Sequence, residues 1–283
     1  MNIPPHIKVI AAAIIFGSSG VFIKYLNLPV AVITFFRMAV PLAVITVWYL
    51  LTRQKPPLTR SGWMLTASAL NAVRMVLYFV GYTYASIGDA VILLYTWPVF
   101  ATLYSAVFLG EKLDRRRVLA VISAVAGTSL IHLNKDLSPG NREVIGLAAI
   151  LLSAAIYAAT VIIFKRESKN HTHWDTVFYQ NILGAFIFLP FALTAGPLPG
   201  PGQAGVAILY ALIIGVFGFG LFFSALKKLP ASTASLLTYV EVLSGVAFGI
   251  ALFGESLTWS VMAGGFLIIL AAFTVEKTVN DPR

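Results

Sequence analysis

The chain has 283 residues, of which 59% are apolar and only 11% are charged. Soluble domains average about 45–50% apolar and about 25% charged residues, so this composition excludes a water-soluble fold. The net charge of +9 could indicate a nucleic-acid partner. Because the basic residues are scattered over many loops and form no single basic face, we expect no such partner.

Ten apolar runs of membrane-spanning length follow one another along the chain. The predicted spans are 7–25, 31–51, 62–83, 89–109, 117–133, 144–164, 175–195, 204–225, 232–253 and 257–275. A span needs about 20 residues, so ten of them leave short loops and no room for a soluble catalytic domain. The sequence therefore predicts an all-α integral membrane protein with ten transmembrane helices.

The first run has some features of a signal peptide, because Lys8 precedes an apolar stretch that leads into Gly17-Ser18-Ser19. The apolar stretch continues through Val21-Phe22-Ile23, which is too long for the apolar core of a signal. We therefore interpret this run as the first membrane span.

Polar and aromatic side chains recur on one face of several spans. At about 100° per residue, the polar and aromatic residues of span three fall within about 80° of one another, and span nine repeats this arrangement. Tyrosines on such faces also serve as packing residues, so this alternative stays open. The predicted substrate-binding residues are Asn71, Arg74, Tyr78, Tyr82, Tyr95, Trp97, Tyr157, Gln180, Asn181, Thr238, Tyr239 and Glu241.

Three ionisable residues lie deep in spans, where charge is costly and marks a functional candidate: Arg37, Arg74 and Glu241. Two interpretations of Arg74 and Glu241 remain open, an ion pair between helices and contacts to a substrate. For a substrate, Arg74 suits a carboxylate and Glu241 suits an ammonium group or a coupled proton, so a zwitterion would satisfy both. Arg37 lies nearer the membrane surface, and we expect it to snorkel outward.

Residues 88–113 return as residues 232–257 at an offset of 144, which aligns Gly110-Glu111 with Gly254-Glu255. We expect each glycine to cap a helix and each glutamate to start the next helix. Pro98 is expected to kink span four. Three glycines of span eight are expected to allow close helix approach, namely Gly215, Gly218 and Gly220.

The repeat also predicts an inverted topology. Each half, 1–140 and 141–283, holds five predicted spans, so the halves enter the membrane from opposite sides and are related by a twofold axis in its plane. With the amino terminus inside, fifteen of the twenty Lys and Arg residues lie on the inner side and three on the outer side. The positive-inside rule then predicts a multi-pass protein of the cell (inner, cytoplasmic) membrane with both termini cytoplasmic.

These features resemble the EamA-type transporters of the drug/metabolite transporter superfamily over the whole chain. The resemblance rests on the duplicated five-span half and on Leu109-Gly110-Glu111-Lys112-Leu113, repeated as Phe253-Gly254-Glu255-Ser256-Leu257. The second copy departs from the first by having Val242 at the position of Pro98. Within the superfamily, the intramembrane tyrosines are similar to those of the YddG-like exporters of aromatic amino acids. The resemblance implies transport of small metabolites, commonly amino acids and often outward.

An intramembrane enzyme is the main alternative of another class, and the sequence disfavours it. The four histidines lie at span ends or in loops, no aspartate lies deep in a predicted span, and no glycine-rich phosphate loop is present. We expect no catalytic residue, no metal and no cofactor, since His171 and His173 alone are a weak metal signal. The expected partners are a small-molecule substrate, an amino acid, and the lipid bilayer, and the sequence is compatible with a monomer.

Other transport classes stay open. A channel should have polar rings along a continuous pore, whereas the polar positions here cluster near the middle of the spans. An aromatic-walled cavity would also admit nucleosides, sugars or drugs. Import or export, and proton coupling or facilitated diffusion, are equally compatible with the sequence.

Overall fold

A computed structural model of the chain describes residues 3–54, 62–85, 90, 93–131, 141–196, 199–254 and 258–280. All regular elements in these ranges are helices. One of them is a π-helical segment, Ala211–Gly218. The α-helices are α1 (Pro5–Gly17), α2 (Ser19–Leu26), α3 (Val30–Leu51), α4 (Gly62–Tyr84), α5 (Trp97–Leu109), α6 (Arg115–Ile131), α7 (Asn141–Glu167), α8 (His173–Thr194), α9 (Pro201–Tyr210), α10 (Phe219–Leu226), α11 (Ala231–Leu237), α12 (Val240–Phe253) and α13 (Trp259–Asn280).

Seven stretches of the described chain are long and apolar enough to cross a membrane. They are Pro5–Leu26, Val30–Leu51, Gly62–Gly81, Arg142–Glu167, His173–Thr194, Pro201–Leu226 and Ala231–Phe253. Two shorter apolar helices, Trp97–Leu109 and Met262–Ala271, accompany them. The predicted all-α, multi-pass membrane class is therefore confirmed, while the full count of ten spans stays a prediction.

Two of these membrane segments are interrupted at equivalent points of the repeat. A turn at Tyr95 and Thr96 precedes α5, and a turn at Thr238 and Tyr239 separates α11 from α12. At each turn a threonine hydroxyl donates to the carbonyl three residues earlier, from Thr96 to Leu93 and from Thr238 to Ser235, both at 2.6 Å. Such bonds compete with the helical ladder.

The kink expected from Pro98 needs correction, because this proline lies in the first turn of α5, just after the break. The second copy has Val242 at the same repeat position and is broken as well. Proline is therefore compatible with the interruption but is not its cause. Each turn has a threonine hydroxyl that makes such a bond, although Thr96 and Thr238 do not occupy equivalent positions of the repeat.

Helices of the first half pack directly on their counterparts in the second. The pairs are α3 with α8, α5 with α11, and α6 with α13, while α4 packs along α7 and α1 along α12. Some contacts leave no space for a side chain: a Cβ on Gly215 would lie 2.3 Å from Cγ of Pro41. The close helix approach expected at Gly215 is thus confirmed.

Gly110 and Gly254 end α5 and α12 at equivalent repeat positions. Their φ angles of 68° and 64° lie in the left-handed region, which glycine adopts without steric cost. The helix-capping role predicted for both glycines is confirmed.

Candidate functional site

A cavity of about 140 Å³ is lined by both halves of the chain. The first half contributes α1 to α4, the turn before α5 and the start of α5. The second half contributes α7, the end of α9, the π-helical segment, α10, the turn between α11 and α12 and the start of α12. This volume holds roughly ten water-sized positions, which suits a small metabolite. Seven of the predicted residues lie in its wall: Arg74, Tyr78, Tyr95, Trp97, Tyr157, Thr238 and Glu241.

Arg74 is 5% exposed, and the buried side-chain amide of Asn71 positions its guanidinium. Its Nε donates to Oδ1 of Asn71 at 3.2 Å, and Nδ2 of Asn71 donates to the Gln180 carbonyl at 2.7 Å. The guanidinium lies over the Tyr157 ring, 4.3 Å from its centre, and that ring packs edge-on against Trp97. A cation over an aromatic face is stabilised by the ring quadrupole. The guanidinium is therefore positioned while part of it still faces the cavity.

Glu241 lies in the first turn of α12, directly after the helix break. Its carboxyl and the Tyr95 side chain both line the cavity. The Tyr239 hydroxyl donates to the Tyr95 carbonyl at 2.8 Å, so the two turns, one repeat apart, hold each other. The interruption of both helices thus brings a carboxyl and a phenol to the same part of the wall.

Arg74 and Glu241 do not form the ion pair that was one of the two sequence interpretations. Within the described chain no carboxylate oxygen lies within 4.0 Å of a guanidinium nitrogen of Arg74. Arg37 is the other charged residue among the described residues that line the same cavity. Both residues therefore keep hydrogen-bonding capacity for a ligand.

Arg37 is the lining residue that the sequence analysis assigned wrongly. It does not snorkel to the membrane surface but lies in the cavity wall, where its Nη1 is 3.9 Å from Sδ of Met75 and its guanidinium is 5.5 Å from the centre of the Phe219 ring. Its position among the three charges deep in spans was the available signal. Thr34 lies three residues before Arg37 on the same helix face, and this polar neighbour was an additional signal.

Four predicted residues lie behind the wall, and one cannot be placed. Asn71, Gln180, Asn181 and Tyr239 are buried at helix contacts and do not line the cavity. Asn181, for example, donates to the Val177 carbonyl of its own helix at 2.7 Å. The Tyr82 side chain lies outside the described part of the structure. Helical periodicity identified the polar faces correctly. It could not show whether such a face borders a cavity or packs against a neighbouring helix.

At one end of the bundle, the carboxylate of Glu111 joins the two halves of the chain. Oε1 accepts from the backbone N–H of Ala231 at 2.6 Å, and Oε2 accepts from the N–H and hydroxyl of Ser232 at 3.1 and 2.5 Å. These N–H groups begin α11 and have no partner within their helix. The expectation that Glu111 starts its own next helix was wrong: it caps a helix of the other half.

Lys165 adds a second set of bonds at the same end. Its Nζ donates to the carbonyls of Leu226 and Leu229 at 2.8 and 2.6 Å, at the end of α10 and just before α11. Lys24, which ends the first span much as Lys165 ends the sixth, instead lies over the Phe253 ring at 3.8 Å. The two halves therefore make different contacts at the two ends of the bundle.

The cavity extends toward the opposite end. A second cavity of about 100 Å³ shares Ile23, Arg37, Tyr78 and Tyr210 with the first and reaches Val30, the first residue of α3. The chain crosses the bundle three times between Val30 and Glu111, so these two residues lie at opposite ends. The two cavities thus continue from the site toward the Val30 end of the bundle.

Known proteins share this architecture. The model of the EamA-like transporter family matches the chain twice, over residues 4–133 and 144–276. A solved crystal structure superimposes with a TM-score of 0.83 over 98% of this chain and 97% of its own, at 16% identity, which shows the same fold. Fold and repeated match together define a membrane transporter. The chain belongs to the EamA-like transporter family, as the sequence resemblance predicted.

Several transporters are similar along most of their length. The pseudopaline exporter CntI of Pseudomonas aeruginosa is 26% identical over 89% of this chain and 88% of its own. An uncharacterized transporter of Archaeoglobus fulgidus is 25% identical over 92% of both chains. Solute carrier family 35 member G1 of Mus musculus is 24% identical over 93% of this chain and 75% of its own.

Proposed function

We propose that this protein is a carrier that moves amino acids, aromatic and other neutral ones included, out across the cytoplasmic membrane by alternating access. The observation that carries the proposal is the cavity wall, in which the Arg74 guanidinium and the Glu241 carboxyl are present without being paired. A buried charge without a partner is costly. A zwitterionic substrate supplies a carboxylate for the first group and an ammonium for the second.

The aromatic wall supports amino acids with apolar side chains. Trp97 and Tyr157 lie beside Arg74, and Tyr78, Tyr95 and Tyr210 complete the surface around the charges. Ligand sites are commonly apolar with a few placed polar groups that fix orientation. This surface supports the likeness to YddG-like exporters, with the charges holding the backbone of the amino acid and the rings holding its side chain.

Alternating access follows from the proposed architecture of ten spans in two inverted halves, 1–140 and 141–283. In such transporters the site lies at the repeat interface, beside discontinuous helices. The breaks before α5 and between α11 and α12 both border the cavity here. A cavity that continues from the site toward the Val30 end supports one of the two alternating states.

The outward direction rests on the orientation and on a relative. If both termini are cytoplasmic, the Glu111 end is cytoplasmic and the cavity extends toward the outside. The Pseudomonas aeruginosa relative is named as an exporter of pseudopaline, which supports export as the direction of this chain.

The test is uptake and counterflow in proteoliposomes with labelled phenylalanine, methionine, threonine, lysine and glutamate. We expect saturable flux that is stimulated by substrate on the opposite side. Arg74→Ala and Glu241→Gln should abolish it, because each removes one partner of the zwitterion. Arg116→Ala, at an exposed arginine in the first turn of α6, is the matched control.

Two outcomes would contradict the proposal. Flux that neither saturates nor responds to substrate on the opposite side would indicate a channel. A complete lack of amino-acid flux in a folded protein would exclude the amino-acid assignment and direct the search to nucleosides, sugars or drugs.

A further inference from the structure

The charges on the cavity wall do not balance. Among the lining residues that the structure describes, three carry charge: the guanidinium groups of Arg37 and Arg74 and the carboxyl group of Glu241. A zwitterion brings one negative and one positive group and leaves this imbalance unchanged. One guanidinium would then remain buried without an anion, which is costly in a low-dielectric site.

The two guanidiniums lie close together. Arg37 Nη1 and Arg74 Nη2 contact the same sulfur atom, Sδ of Met75, at 3.9 and 3.1 Å, so the two nitrogens are at most 7 Å apart. A thioether sulfur is a weak acceptor and carries no charge. Neither guanidinium lies within 4.0 Å of a carboxylate in the described chain. Their mutual repulsion and unused donors both favour added negative charge.

The carboxyl of Glu241 does not cancel this surplus. Within the described chain it forms no ion pair with either arginine. The cavity therefore offers two cationic positions and one anionic position. Its volume of about 140 Å³ restricts a matching ligand to a small molecule.

We propose that the preferred ligand carries two acidic groups and one ammonium group, as an amino dicarboxylate does. This inference rests on the proposed function, because it takes the same cavity as the substrate site. One acidic group binds Arg74, the second binds Arg37, and the ammonium binds Glu241. Neutral amino acids enter the same cavity and leave the Arg37 position unfilled.

The test compares ligands that differ only by an acid and an amide. Binding of aspartate against asparagine, and of glutamate against glutamine, is measured on the purified protein by competition with a labelled amino acid. A hydrogen bond to a charged group contributes about 1.5–3 kcal/mol, so we expect each acid to bind at least about tenfold more tightly than its amide. Arg37→Gln should bring this ratio close to one.

Two further variants keep the result interpretable. Arg37→Lys retains the charge and should retain a preference for the acid, which separates a charge effect from damage to the fold. Arg116→Gln, at an exposed position, should leave the ratio as in the wild type.

Equal affinities for acid and amide in the wild type would overturn this inference and leave the carrier proposal intact. That result would mean that one carboxylate bridges both arginines. A preference that survives Arg37→Gln would also overturn it. Failure of both acids and amides to bind, together with no flux for any amino acid, would overturn the proposed function itself.

Discussion

At the scale of single residues, the orientation of the Arg74 guanidinium depends on the side-chain amide of Asn71, which does not line the cavity. Asn71 accepts from Arg74 Nε and donates to the Gln180 carbonyl, so it links the guanidinium to α8. The hydroxyl of Ser153 also donates to the Arg74 carbonyl, at 3.1 Å. We infer that Asn71 is a positioning residue, which orients the guanidinium without touching the substrate.

The change Asn71→Ala should weaken substrate binding by about tenfold and lower the free energy of unfolding by about 1–3 kcal/mol, because it leaves buried polar groups unpaired. The measurements are competition binding and thermal unfolding in detergent. Asn181→Ala is the control: within the described chain that amide bonds to the Val177 carbonyl of its own helix, so stability should fall while affinity holds. Equal losses of affinity in both variants would contradict a positioning role for Asn71.

At the scale of helices, close packing between α3 and the π-helical segment explains why a glycine is present at 215. The change Gly215→Ala would place Cβ 2.3 Å from Cγ of Pro41, which belongs to a rigid ring within a helix. Overpacking of this kind costs about 1–3 kcal/mol.

The matched control for this substitution is Gly205→Ala, in the exposed part of α9, where no atom lies within 4 Å of the added Cβ. Alanine is favoured over glycine in a helix by about 1 kcal/mol, so this control should unfold at an equal or higher temperature. Thermal unfolding of the two variants in detergent makes the comparison. A neutral Gly215→Ala would contradict the tight contact.

The start of α11 shows how one side chain can hold two halves together. Glu111 satisfies two N–H groups and one hydroxyl of α11. The change Glu111→Gln removes the negative charge that favours a helix amino terminus. We expect it to open this end of the bundle more often, and hence to expose residues of α11.

A single cysteine at Ser235, which is fully buried, can report this opening. The chain has no cysteine of its own, so the introduced thiol is the sole reactive one. A membrane-impermeant maleimide applied from the Glu111 end should label Ser235→Cys several-fold faster in the Glu111→Gln background. Unchanged labelling would show that the Glu111 bonds do not control access.

At the scale of the whole molecule, the repeat predicts a second capping site at the other end. Glu255 is the counterpart of Glu111 at the offset of 144, and Gly88 is the counterpart of Ser232. Both lie outside the described residues. If the halves exchange conformations, Glu255 should cap the start of span four when the cavity opens at the Glu111 end.

The change Glu255→Gln should therefore act in the opposite direction from Glu111→Gln. It removes a bond of the alternative state, so labelling of Ser235→Cys from the Glu111 end should slow. The double variant should return toward the wild-type rate. Acceleration by both single changes would contradict a symmetric exchange and indicate general loosening of the bundle.

The composition and the repeat were sufficient to predict the class of protein, the family resemblance and the helix caps at Gly110 and Gly254. These properties depend on local features, namely apolar length, spacing and the left-handed conformation that glycine tolerates. The same local reasoning located the polar faces that hold Arg74 and Glu241. It also identified the two charges as lying deep in spans.

Only the tertiary structure decided which neighbours these side chains meet. A helical face is the same whether it borders a cavity or another helix, so Gln180, Asn181 and Arg74 were equivalent candidates until the packing separated them. Arg37 was assigned to the membrane surface because it lies near one end of its span, and its contacts with Met75 of α4 and Phe219 of α10 place it in the cavity wall. Glu111 caps a helix that begins 120 residues later in the sequence, at Ala231. The sequence by itself was sufficient to predict a membrane transporter with a repeated half, because these properties depend on local features. The site could be assigned only from the tertiary structure, because it depends on contacts between segments that are distant in the sequence.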